Sequence, residues 1–160
     1  MNTPSVSTLQ KLAALGVLLN IIAILALTTY PFAFQLDGAA LARRWQQVEW
    51  VLFYRRNSGA LIIDRDLLQN ILFFLPLGFC WSLFRSHLTR GRVLLEVTLL
   101  GLGLSFSVET LQLFTKARST QLADVWRNTL GSCLGGALAA LGAALWHRWF
   151  RQNVANRTGD

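Results

Sequence analysis

Seven side chains in the chain have the types and spacing to do chemistry together. Glu109 and Gln112 stand three residues apart, Asp124 and Asn128 four apart, and Asp66 and Asn70 repeat the four-residue spacing upstream. On a helix each of these pairs shares one face. Arg118 falls in the connection between Glu109 and Asp124. Carboxylates take up protons or hold hard cations, amides donate and accept hydrogen bonds, and a guanidinium grips phosphate bidentately. Asp66, Glu109 and Asp124 are therefore the candidates for a catalytic base or cation ligand. Asn70, Gln112, Arg118 and Asn128 are the candidates for substrate binding. The set suits a divalent cation, a phosphate, or both, and the residues alone leave open whether a metal takes part. It does not suit nucleophilic catalysis, because no Ser–His or Cys–His pair accompanies it; His87 and His147 fall elsewhere.

The elements that must position these groups are apolar and long. Of the 160 residues, 53% are hydrophobic and 14% charged, and the mean hydropathy is +0.41. Four stretches, about 12–34, 66–84, 93–114 and 124–149, are each long enough to cross a bilayer. The net charge of +7 would suit nucleic acid if it were gathered on one polar face. It lies instead between the apolar runs, as in membrane-flanking loops. The expected fold is thus an all-α bundle of four transmembrane helices in one domain, residues 1–160. Its first apolar run, preceded by Lys11, exceeds a signal-peptide core and reads as an uncleaved span. Residues 1–10 read as a disordered polar tail.

The longest connection, 35–65, suggests a short interfacial helix over Leu41–Gln47, with Trp45 and Trp50 suited to the headgroup layer. Val48–Tyr54 and Ala60–Ile63 flank Asn57-Ser58-Gly59 and predict a short interfacial β-hairpin. Pro76 is expected to kink the second span. Gly101 and Gly103 in the third, and Asn128, Gly131, Gly135, Ala139 and Gly142 in the fourth, offer small surfaces for close helix packing. Cys80 and Cys133 fall at different depths, so a disulfide between them is not expected.

Parity then unites the chemistry. With four crossings, the start of the second span, the end of the third and the start of the fourth share one side of the membrane, opposite the termini. The polar pairs should converge there in one pocket, with Arg118 above it. Asp66 and Asp124 sit at helix N-termini, where capping and the dipole favour a carboxylate without any function. Glu109 lies near a helix C-terminus, where the dipole disfavours an anion, so it needs either a partner, for which Arg118 is the candidate, or a proton. Glu96 follows Arg92 by four residues, the spacing of an ordinary ion pair. Basic residues divide almost evenly between the two sides, and their density in the 85–92 loop favours termini in the cytoplasm.

The ordered set Asp66-x-x-x-Asn70, Phe-Phe-Leu-Pro-Leu-Gly (Phe73 to Gly78), Glu109-x-x-Gln112, Arg118, Asp124, Asn128, Gly131 and Gly135 resembles the VanZ-like membrane protein family, named after a teicoplanin-resistance protein. The resemblance covers about residues 60–140. It implies a bacterial inner-membrane protein with a link to glycopeptide tolerance or envelope glycans, and it implies no particular reaction. Residues and resemblance together lead to one expectation: recognition of, or action on, a phosphate-bearing, lipid-linked envelope molecule. The alternative is a non-catalytic structural or assembly subunit of a membrane complex. The expected partners are membrane lipids, a lipid-linked glycan or antibiotic-related substrate and other membrane proteins, and not nucleic acid.

Overall fold

The computed structural model describes residues 7–52, 65–116 and 120–158. Five helices follow one another: α1 (Thr8–Thr29), α2 (Gly38–Gln47), α3 (Arg65–Phe84), α4 (Arg90–Gln112) and α5 (Leu122–Thr158). All but α2 are long and apolar enough to cross a membrane, and no strand occurs among the described residues. The outward apolar side chains, such as Leu18, Leu95, Leu99 and Leu141, are about half exposed. In a soluble protein such faces would aggregate; in a bilayer they are the lipid contact. The chain is a multi-pass helical membrane protein.

Local sequence explains where the helices stop. Ser7 and Gln10 form a capping box at the head of α1, so the helix starts inside the stretch expected to be a disordered tail. It ends at Thr29 because Tyr30, preceding Pro31, is driven to an extended conformation. Asp37 caps α2 by accepting from the Ala40 amide at 2.9 Å. This helix begins three residues ahead of the expected Leu41. Pro76 lies inside α3, which remains a continuous helix. The predicted hairpin falls largely on residues 53–64, outside those described. The preceding Glu49 forms only an isolated bridge, to Gln121.

Helix direction follows from the contacts. Ile71 and Leu75 of α3 meet Gly131 and Gly135 of α5, so α3 and α5 run parallel. Gly16 of α1 meets Cys80, and Gln10 reaches Phe84, so α1 is antiparallel to α3. Gly101 of α4 meets Ser132, and Gly136 of α5 meets Val97, so α4 is antiparallel to α5. The core centres on Ile24, Phe74, Leu77 and Val108, all essentially fully buried. Both cysteines are free.

Close packing rests on a subset of the expected small residues. A Cβ at Gly131 would stand 2.6 Å from the Ile71 carbonyl oxygen, and one at Gly135 would stand 2.8 Å from the Phe79 amide and closer still to the Leu75 carbonyl. Gly78 abuts the Ser132 carbonyl from the other side. Nothing lies within 4 Å of a Cβ built at Gly103 or Gly142; those two glycines make no close packing contact.

At the end bearing the termini, Glu96 accepts from Arg85 Nε and Nη2 at 2.9 and 3.0 Å and from Trp81 Nε1 at 3.2 Å. Arg92, the expected partner, stands at 3.6 Å. The loop after α3 folds Arg85 back over the α4 surface, a geometry that four-residue spacing does not reveal. Hydrogen bonding to Glu96 raises the Arg85 pKa further above its ordinary value.

In a free helix, replacing glycine by alanine gains about 0.5–1 kcal/mol. Here Gly135→Ala should reverse that sign, lowering stability by about 1–3 kcal/mol through overpacking against the α3 backbone. Gly142→Ala should be neutral or slightly stabilising. Thermal unfolding of the two variants in detergent checks the contrast.

Candidate functional site

The polar site is built at the end of the bundle opposite the termini. There α4 finishes, and α3 and α5 begin. Asn128 donates to Ser105 Oγ across α5 and α4 at 2.8 Å, and Ser105 in turn donates to the Asp124 carbonyl oxygen at 3.4 Å. Both side chains are buried, at 3% and 0% exposure. Glu109 is 6% exposed, and its Oε2 accepts from the Gln121 backbone amide at 3.0 Å. Glu109 and Asp124 are close enough to repel one another. Asp124 is bonded to Arg127 Nη1 at 2.7 Å.

Arg127 is the residue that sequence reasoning missed as part of the site. Counted among the flanking basic residues, it is the largest fully buried side chain among the described residues. Desolvating a guanidinium costs several kcal/mol unless it is paired, which fixes the need for Asp124 beside it. The signal was present: Asp124 and Arg127 are three residues apart at the head of a helix, and the arginine enters an apolar run. Thr115, at 1% exposure, was also missed. Its amide and hydroxyl both donate to the Gln112 carbonyl, at 3.0 and 3.1 Å, closing the frayed end of α4.

The connection after α1 clasps this end from outside. The Gln35 amide donates to the Phe114 carbonyl at 2.7 Å, and the Lys116 amide to the Ala33 carbonyl at 2.9 Å. The Glu49 amide donates to the Thr120 carbonyl at 3.1 Å and the Leu122 amide to the Glu49 carbonyl at 2.9 Å. Trp126 Nε1 donates to the Leu52 carbonyl oxygen at 2.6 Å. These bonds fix residues 120–122 in space, and with them the amide that holds Glu109. An irregular backbone at membrane depth survives only when its polar groups are satisfied in this way.

The sequence-predicted residues are thus brought together in part. Glu109, Gln112, Asp124 and Asn128 occupy one polar layer between α4 and α5. Asn70 is partly buried on α3, one residue before the Ile71–Gly131 contact. Its Nδ2 is cut off from solvent without a hydrogen-bond partner among the described residues, as is Asn128 Oδ1. Asp66 lies in the first turn of α3 and is solvent-exposed, at the edge of the layer. Arg118 lies outside the described residues, and Glu109 is held by a backbone amide. Among the described residues no three His, Cys, Asp or Glu side chains are grouped to hold a metal ion.

Four antiparallel and parallel spans, with a buried carboxylate–guanidinium–amide layer at one end and a clasp over it, define a small helical membrane protein whose polar residues are concentrated at one depth. The VanZ/LLP1 family model matches residues 17–145, so the chain belongs to the VanZ/LLP1 family. The match takes in the whole polar layer, all of α3 and α4, and parts of α1 and α5. Neither a curated protein nor a solved structure gives a match to the chain.

Removing one partner of a buried ion pair strands the other and typically costs about 3–5 kcal/mol. Arg127→Leu and Asp124→Asn should each lower stability strongly, and the double variant by less than the sum. A double-mutant cycle by thermal unfolding measures that coupling. An additive result would show that the two side chains do not stabilise one another.

Proposed function

We propose that the polar layer recognises, or acts on, a phosphate-bearing, lipid-linked molecule of the bacterial cell envelope, in the leaflet opposite the termini. The observation that carries this reading is the pair of amide atoms, Asn70 Nδ2 and Asn128 Oδ1, buried on α3 and α5 with no partner among the described residues. An unsatisfied buried polar atom costs about 1–3 kcal/mol. A donor and an acceptor left open on neighbouring helices offer a polar headgroup both kinds of hydrogen bond. In this reading Arg118 clamps the phosphate and Gln112 adds a further amide. Asp66, Glu109 and Asp124 are the groups able to act as a base or to hold a cation with the substrate's own oxygens. The chain resides in the inner membrane with its termini in the cytoplasm, and the consequence for the cell is tolerance of glycopeptides such as teicoplanin.

A second reading has its own observation. Glu109, Asp124 and Asn128 each already bond within the chain, as they would if the layer only locked the bundle of a structural or assembly subunit. The two readings separate on Glu109→Gln and Arg118→Ala. Glu109→Gln keeps the shape and an oxygen for the Gln121 amide, so the fold should survive. On the recognition reading, both variants remain at wild-type abundance and melting temperature. Binding of a polyprenyl phosphate in nanodiscs falls at least tenfold, and teicoplanin tolerance is lost. Unchanged binding and tolerance would refute that reading, and loss of function that tracks loss of folded protein would establish the structural one.

A further inference from the structure

The opposite end of the bundle holds a feature that the polar layer does not use. Helix α3 stops at Phe84, whereas α5 runs on to Thr158. Past the glycine contact, α5 presents Gly136, Ala140, Ala143 and His147 to an open groove whose other wall is the end of α3 and the start of α4. Its volume is about 340 Å³, at the small end of the roughly 300–1,000 Å³ typical of ligand sites. From Gly136 to His147 the groove runs about 16 Å along the helix at 1.5 Å per residue.

Its chemistry is graded with depth. The deep wall is apolar, made of alanines and Val93. At the deep end, Ser82 Oγ faces Gly136 and is shielded from solvent. At the mouth stand Ser86, Arg90 and His147. Arg90 forms no ion pair among the described residues. The one acid at this end of the described chain, Glu96, is already bonded to Arg85 and faces Arg92. Lys11, Arg148 and Arg151 add positive charge at the same end. Trp146 and Trp149, both more than half exposed, place the mouth at the membrane–water boundary.

We propose that this groove is a binding site for an anionic glycerophospholipid of the leaflet on the side of the termini. One acyl chain lies along Ala143, Ala140 and Gly136, and the phosphate meets Arg90 at the mouth. The apolar depth suits an acyl chain and the basic mouth suits a phosphate, the order in which a lipid presents them. The uncompensated positive charge selects an anionic headgroup over a zwitterionic one. The site is independent of the polar layer at the other end.

Native mass spectrometry of detergent-purified protein, titrated with phosphatidylglycerol or phosphatidylcholine, tests the proposal. The wild type should retain one phosphatidylglycerol at least fivefold more readily than phosphatidylcholine. Arg90→Gln should abolish that preference, and Ala143→Phe, which fills the groove from an exposed position, should reduce retention of both lipids. If Ala143→Phe does not fold, Ala140→Leu takes its place. Glu109→Gln should leave retention unchanged, which separates this site from the polar layer. Equal retention of the two lipids by the wild type, or undiminished retention by the groove-filling variant, would overturn the proposal.

Discussion

Everything else in this bundle depends on the parallel contact of α3 with α5. Two helices separated in sequence by α4 can approach this closely only where neither carries a side chain in the way. Gly78, Gly131 and Gly135 provide that surface. In lipid no hydrophobic effect drives helices together, so contact area and backbone proximity must supply the association. Because the contact is parallel, it also sets depth: the starts of α3 and α5 lie at one membrane face. The antiparallel α4 delivers its C-terminal end, with Glu109 and Gln112, to the same face.

That face then has a polar problem to solve. A buried guanidinium, two carboxylates and two amides lie where water is scarce, and each needs a partner from within the chain. The solutions are of different kinds. Arg127 and Asp124 pair within a single helical turn, whereas Asn128 reaches across to Ser105. Glu109 takes a backbone amide that stays in place only because Glu49 pairs with Thr120 and Leu122 outside it. The clasp is therefore part of the site's electrostatics and not only its cover. Breaking it would release the amide that holds the carboxylate least welcome at a helix C-terminus.

The four spans were legible in the sequence, because length and apolarity in lipid leave few alternatives to a helix, but α1 ends five residues short of 34 and α5 runs nine past 149. Their convergence was legible too, since an even number of crossings fixes which ends meet. What escaped notice shares one physical cause. The burial of Arg127, the amide that holds Glu109 and the turn of Arg85 onto Glu96 all depend on how connections fold over the helix ends. A backbone amide has no residue type to announce it, and a loop's path is not periodic. Glycine position was legible only in part: Gly131 and Gly135 meet α3, while Gly142, on the same stripe, has nothing within 4 Å of a Cβ built on it.

This last difference explains how a bundle of four spans can carry features at both faces. The glycine contact holds α3 and α5 together near the polar layer, so that end can be closed by the chain itself. Helix α5 spans 37 residues and α3 only 20, so the pair cannot stay matched to the other face. On its groove side α5 carries alanines, too small to fill the space between it and the ends of α3 and α4. A cleft lined with hydrocarbon in a bilayer does not stay empty, because the surrounding acyl chains are the cheapest filler at hand. Closure by protein at one end and by lipid at the other follows from a single inequality in helix length.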